Sequence, residues 1–272
     1  MRNPGVPESL EGWWILHRMF AFDREGMAER SRKSRSRIAR LAGETLERLR
    51  GADRDAAVAR IAGHKADIMF THYAKSFEDL LDVQTEFDGS ELRAYLRPQS
   101  SYVSVLELGL YDASAKIHQT LAGRELKPNS PEWNAAFDAL LAEQAISPRN
   151  AGRLWARIPP RPYVCFYPMN KRRGESVNWY ALPYEERAKL MLDHGKIGRT
   201  FHGHVTQVIS GSIGFDDYEW GVDLYANDPL VFKKLIYEMR FDEASAKYAE
   251  FGPFFAGMQL SAERFEAYLC GR

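Results

Sequence analysis

Apolar and polar positions alternate between two spacings along this chain, and the changes of spacing mark its elements. The run Gly12-Trp13-Trp14-Ile15-Leu16-His17-Arg18-Met19-Phe20 is dense in aromatic and aliphatic residues, which predicts a strand. A charged segment over roughly 26–50 predicts a helix. Residues 56–62 and 66–71 predict two short strands, split by Gly63-His64-Lys65. Residues 76–85 predict a helix with Phe77, Leu80 and Leu81 on one face, and 102–110 a further strand. The second half repeats the order. Residues 163–167 predict a strand and 183–194 a helix. Strands over 204–213 and 218–225 follow, joined by a turn containing Gly214 and Asp216-Asp217. A helix then starts at Asn227-Asp228-Pro229, with proline in its first turn. Its apolar stripe is Val231, Phe232, Leu235, Ile236 and Met239, and 251–258 is the last strand.

Each half therefore has the order β-α-β-β-α-β, the ferredoxin-like arrangement. The expected fold class is α+β, with two such repeats packing as a dimeric α+β barrel. The expected units are an N-terminal repeat over 1–120, a connector over 121–160 and a C-terminal repeat over 161–272. The connector carries Pro128, Pro131, Pro148, Pro159 and Pro160, and one helix is expected in it, near 131–144.

Composition narrows the function classes. Lys plus Arg and Asp plus Glu are both 37, so no net field draws the protein to nucleic acid or an acidic membrane. The basic run 30–37 fits the polar side of a surface helix better than a nucleic-acid contact. No apolar run approaches the ~20 residues that a spanning helix needs. The N-terminal string Met-Arg-Asn-Pro-Gly-Val-Pro lacks a signal-peptide core, and the two cysteines, Cys165 and Cys270, form no disulfide framework or metal spacing. A cytoplasmic protein is expected.

Candidate chemistry gathers in the second half. His194, with Tyr184, Ala188, Leu190 and Met191, falls on the apolar arc of its helix, and Gly195 after it would let the chain turn away. A neutral imidazole there could ligate iron, or could be a core histidine bonded to a carbonyl. His202 and His204 would alternate on one strand face, but no acid or thiol completes a metal set. Gln207, between Val205 and Ile209, could bond a backbone group or face a bound oxidant. Tyr167 shares a strand face with Tyr163 and Cys165, and Pro168 is expected to end regular pairing just beyond it. Lys171, Arg172 and Arg173 could line a solvated loop or hold carboxylates, and Arg153 is equally open. Gly211-Ser212-Ile213-Gly214 is a short turn, not a phosphate loop, because no helix follows it.

Long collinear strings sharpen this picture. Cys165-Phe166-Tyr167-Pro168-Met169-Asn170-Lys171, Asn178-Trp179-Tyr180, Asp193-His194-Gly195, the run from Gly211 to Val222 and the run from Tyr237 to Ser245 resemble the chlorite dismutase-like superfamily, and within it the coproheme decarboxylases. The match is strong over 153–258 and loose over the first 60 residues. The resemblance implies hydrogen-peroxide-dependent decarboxylation of two propionates of iron coproporphyrin III to vinyls, giving haem b through a tyrosyl radical. It implies His194 as axial iron ligand, Gln207 as the distal residue and Tyr167 as the radical site. It implies Lys171, Arg153 and Ser245 as contacts to propionates. Chlorite-decomposing relatives carry a distal arginine where this chain has neutral Gln207, which disfavours chlorite chemistry. The resemblance also implies a homopentamer, with a coproporphyrin ferrochelatase as candidate partner. Two rivals remain at this stage. One is a haem carrier or sensor without turnover, and the other a non-haem barrel that uses the fold only to assemble. A general peroxidase lacks a distal histidine or arginine to split peroxide.

Overall fold

The computed structural model describes residues 3, 5–109 and 111–271. Leu110, the last residue of the strand predicted over 102–110, lies outside the described residues, as do Met1, Arg2 and Pro4 of the N-terminal string and Arg272.

The first aromatic run forms β1 (Ser9–Phe22), longer at both ends than predicted. The charged segment forms two helices instead of one, α1 (Arg24–Ala28) and α2 (Arg32–Arg48). Ser31 separates them. Its backbone is extended and its hydroxyl accepts the Ser34 N–H, so it caps α2. Strands β2 (Arg54–Ile61) and β3 (Ile68–Ala74) follow as expected. Helix α3 (Phe77–Asp88) is capped by Ser76. It buries Leu80, Val83 and Phe87. Phe77 and Leu81, predicted to share that face, are exposed. Strand β4 (Leu96–Gly109) completes the first half.

The connector departs most from expectation. It carries two helices, α5 (Pro131–Ile146) and α6 (Pro148–Leu154), and α4 (Tyr111–Ala122) runs into it from the first repeat. Ser130 and Ser147 are N-caps with proline in the following first turn, so two of the prolines start helices.

In the second half, β5 (Tyr163–Lys171) does not end at Pro168. Proline is tolerated because it falls between two short partners on one edge, β8 (Ala249–Phe251) and β9 (Phe255–Leu260). Before these come α7 (Tyr184–Thr200), β6 (Val205–Gly211), β7 (Trp220–Ala226), α8 (Leu230–Met239) and the single turn α9 (Glu243–Ala246). Helix α7 runs past Gly195, so His194 lies within it and does not close it. His202 and His204 lie in the turn before β6, not on a strand. A last helix, α10 (Ala262–Leu269), follows Ser261.

All pairings are antiparallel, and the order β7-β6-β4-β1-β3-β2-β9-β5 is closed by a β5–β7 ladder. Each half has the ferredoxin-like strand order, β4-β1-β3-β2 and β9-β5-β7-β6, so the α+β barrel is formed from two such sheets. The halves meet at β4–β6 and β2–β9. At the second junction Gly257 lies against the Arg60 backbone, where a Cβ would collide.

Inward residues, including Ile15, Met19, Tyr73, Tyr102, Phe166 and Tyr225, fill the barrel. Outside the first half, α2, α3 and α10 pack on Phe20 and Phe70 through Ile38, Leu46, Phe87 and Phe265. Outside the second half, α7 and α8 lie over the opposite faces of β5, β6 and β7.

Candidate active site

The period of two along β5 puts Tyr163, Cys165, Tyr167 and Met169 on the outer face of the barrel, under α7 and α8. Register fixes what lies beside them. Tyr167 pairs with Val222, which pairs with Ile209. Cys165 pairs with Leu224, which pairs with Gln207. These two rows form a flat apolar tile, with Tyr167 and Gln207 at opposite corners. Strand spacing and rise place their Cα atoms about 12 Å apart.

Tyr167 is 5% exposed and its ring stacks on Phe254 at 4.6 Å, with Phe251 at 5.7 Å. Burial pushes its phenol well above the usual range, the Cys165 thiol adds to this, and Arg240 opposes it. The group is therefore neutral and must lose its proton when oxidised. An open cleft of about 830 Å³ adjoins these rings, lined by Phe251 and Phe254, with Arg172 and Arg240 among its walls. The Arg240 guanidinium lies 4.2 Å from the Phe251 ring centroid.

Lys171 lies four residues beyond Tyr167 on the same strand face, about 13 Å along it. Its ammonium donates to the Ala244 carbonyl at 3.2 Å and sits 4.3 Å from the Trp179 ring centroid. Burial lowers its pKa from 10.5 to about 8, against the charges of Asp242 and Glu219, which raise it. Glu219, itself buried, accepts the Lys171 backbone N–H at 2.8 Å and pairs with Arg173 at 3.4 Å.

His194 is held from behind. Its Nδ1 lies 3.1 Å from Asp242 Oδ2 and 3.4 Å from Ser245 Oγ. Asp242 caps α9 by accepting the Ser245 N–H at 3.0 Å. Partial burial would raise the Asp242 pKa, but the hydrogen bond and charge of His194 outweigh it and hold the carboxyl below its usual range. With Nδ1 engaged by a carboxylate, Nε2 is the nitrogen left to bind a metal. Gln207 is half-buried, and its amide nitrogen lies 3.5 Å from where a Cβ on Gly198 would stand, one turn beyond His194 on α7.

The structure thus gathers His194, Ser245 and Lys171 around α9, and places Tyr167 and Gln207 on the sheet face that α7 covers. The Ser245 hydroxyl points to the His194 ring, not outward as a propionate contact would require. Arg153 is not brought in. It is exposed in the last turn of α6, and no hydrogen bond or ion pair joins it to the others among the described residues. Asp242, Glu219, Trp179 and Arg240 were missed as functional residues. Only Asp242 had a usable signal, an acid three residues before a serine at a helix start. No cluster of three or more His, Cys, Asp or Glu side chains could hold a free metal ion among the described residues. The donor set suits a metal that arrives in its own macrocycle: one oriented imidazole, cations on the rim and an apolar tile.

Known proteins resemble this chain in sequence and in fold. The chlorite dismutase family profile matches residues 35–260. The coproheme decarboxylase of Staphylococcus carnosus is 40% identical over 265 residues, covering 96% of this chain and 97% of that protein. The coproheme decarboxylase of Thermus thermophilus is 41% identical over 271 residues, covering 97% and 98%. A solved heme-binding protein, also from Thermus thermophilus, superposes with a TM-score of 0.82 at 38% identity, covering 99% of both chains. A closed barrel of two ferredoxin-like sheets, together with a family match over most of the chain, places this protein in the chlorite dismutase family.

Proposed function

We propose that this protein converts iron coproporphyrin III to haem b by oxidative decarboxylation of two propionates, with hydrogen peroxide as oxidant. The observation that carries the reading is the placement of a buried phenol, a buried ammonium and a carboxylate-held imidazole around one sheet face and α9. Relatives 40% and 41% identical over nearly the whole chain, named coproheme decarboxylases, support it.

The iron porphyrin is the substrate and supplies the redox capacity. His194 Nε2 binds its iron, and Asp242 fixes the ring through Nδ1. Lys171 holds the reacting propionate by a charge-assisted hydrogen bond, which would draw the ammonium off the Ala244 carbonyl. Arg240 and Arg172 stand where other carboxylates would emerge. Ser245 and Arg153 reach propionates only after the Ser245 hydroxyl turns from His194 and α6 approaches the site. Gln207 must leave Gly198 to admit the macrocycle. Its neutral amide then faces peroxide without the positive charge that would favour an anionic leaving group.

Tyr167 does the chemistry at the rim. Oxidised by one electron, it gives up its phenolic proton. The phenoxyl oxygen then takes a hydrogen atom from the propionate carbon next to the ring. The carbon–carboxyl bond breaks, carbon dioxide leaves, and the remaining electron returns to the oxidised site. Each vinyl consumes one peroxide and one proton and releases one carbon dioxide and two waters. Among the described residues of the first half, Phe20, Phe70 and Phe87, with Phe265 from α10, fill the corresponding outer face. By family resemblance we read the assembly as a cytoplasmic homopentamer fed by a coproporphyrin ferrochelatase. Among the described residues no helix is long and apolar enough to cross a membrane.

The test is to titrate the protein, loaded with iron coproporphyrin III, with peroxide and follow the tetrapyrrole mass. Stepwise loss of carbon dioxide and two hydrogens, one peroxide per step, is expected. A bound porphyrin whose mass never changes would leave a carrier.

A further inference from the structure

A row of oxidisable rings inside the barrel takes no part in the reaction above. Trp155 lies at the surface, 43% exposed. Its indole meets Trp13 edge-on, with ring centroids 5.3 Å apart. Trp13 is buried and lies 6.3 Å from Tyr73. The Tyr73 hydroxyl lies against that of Tyr225, short of a hydrogen bond of normal geometry. Tyr225 belongs to β7, and its neighbours Leu224 and Ala226 face the candidate site from the other side of that strand. The four rings run from solvent to the strand that backs the site.

The choice of these side chains is costly for stability. Trp13 Nε1 is buried without a hydrogen-bond partner among the described residues, and the Tyr73 and Tyr225 hydroxyls, as deeply buried, have only each other. The indole N–H and the poorly paired hydroxyls carry a desolvation penalty, which phenylalanine would avoid. The outer layer of the first half does use phenylalanine, at positions 20, 70, 87 and 265. What tyrosine and tryptophan have and phenylalanine lacks is easy one-electron oxidation. A buried phenol must also shed its proton when oxidised, and a base stands close. Burial first, then the nearby charges of Asp223 and Asp55, raise both phenols well above their ordinary range. Asp223 itself contacts His17 Nε2 at 3.0 Å.

We propose that Trp155, Trp13, Tyr73 and Tyr225 form an electron-transfer path that drains oxidising equivalents from Tyr167 to the surface when no propionate is within reach. The source of those equivalents rests on the decarboxylase reading; the path does not. In the step, the Tyr167 phenoxyl gains one electron, and a proton from solvent, and returns to tyrosine. Trp155 loses one electron and releases its indole proton to solvent. Trp13, Tyr73 and Tyr225 each pass one electron on and end unchanged. A small one-electron reductant of the ascorbate class then gives a hydrogen atom back to Trp155. Tyr225 lies three residues along β7 from Val222, the register partner of Tyr167, which sets the final gap at about 11 Å between Cα atoms.

Pulse radiolysis of the porphyrin-free protein tests the path by itself. Azidyl radicals oxidise exposed indoles. The indolyl absorption is then expected to decay as phenoxyl absorption grows, at a rate independent of protein concentration. Trp13→Phe is expected to slow that growth about tenfold or more. Trp155→Phe, a surface change, is expected to lower its amplitude and covers the case in which Trp13→Phe fails to fold. Unchanged growth in either folded variant overturns the path. A second arm loads the protein with haem b, adds peroxide in air, where dioxygen traps the surface indolyl irreversibly, and maps oxidised residues by peptide mass. Oxidation is expected at Trp155, moving to Tyr167 and its neighbours in Trp13→Phe. Equal oxidation of Trp155 in both proteins overturns the path. A protein that takes up porphyrin and never decarboxylates it defeats the proposed function while the radiolysis still decides this one.

Discussion

Replacing Lys171 with methionine should make the protein more stable and less able to hold its substrate. Lys171 is 8% exposed, and its pKa falls from 10.5 to about 8 mainly through burial. At ~1.4 kcal/mol per unit, the buried charge costs about 3 kcal/mol at neutral pH. Between pH 8 and 10.5 the unfolded chain still carries this proton while the folded chain has released it. The unfolded state then binds more protons, so stability rises with pH across that window and the penalty fades. Urea unfolding of the porphyrin-free protein should show a gain of about 2–3 kcal/mol between pH 8 and 10. Lys171→Met should lack that gain and start about 2–3 kcal/mol more stable at pH 7. In return it loses a charge-assisted hydrogen bond of about 1.5–3 kcal/mol, which predicts a coproporphyrin affinity about 10- to 150-fold weaker. Wild-type and variant curves that rise in parallel between pH 8 and 10 would refute the account of Lys171.

Three further outcomes follow from the same geometry. His194→Ala should change the visible spectrum of bound iron coproporphyrin III, and added imidazole should restore it; an unaltered spectrum would remove His194 as the ligand. Asp242→Asn leaves the ring without its anionic partner, and iron coordination or turnover should fall about tenfold or more. Circular dichroism should remain native, since the asparagine can still cap α9. Gly257→Ala puts a Cβ into the Arg60 backbone where the two halves meet, so denaturant unfolding should show a loss of about 3 kcal/mol or more.

The barrel was legible because strands buried on both faces are dense apolar runs, and the β-α-β-β-α-β order occurs twice. What periodicity could not convey was the meaning of single prolines and glycines. Ser130-Pro131 and Ser147-Pro148 resemble breaks, yet serine is the cap and proline the first helical residue. Gly195 resembles a stop, yet α7 continues to Thr200. Pro168 resembles a strand end, yet it falls where the partner edge is interrupted and no N–H is needed. The positions of Tyr167, Lys171, His194 and Gln207 were legible as a collinear pattern. Their partners were not, because contacts such as His194 with Asp242 and His17 with Asp223 join residues far apart in the chain. The helix that carries Arg153 packs against β1 and β4, so the role of Arg153 rests on the resemblance alone.

The central claim is that the Tyr167 hydroxyl, and not merely its ring, carries the hydrogen-atom step. Tyr167→Phe should bind iron coproporphyrin III with wild-type affinity and spectrum, because the ring still stacks on Phe254. On adding peroxide, the mass of its bound porphyrin should stay that of coproporphyrin while the wild-type protein proceeds to haem b. Conversion to haem b by Tyr167→Phe at the wild-type rate would contradict the account.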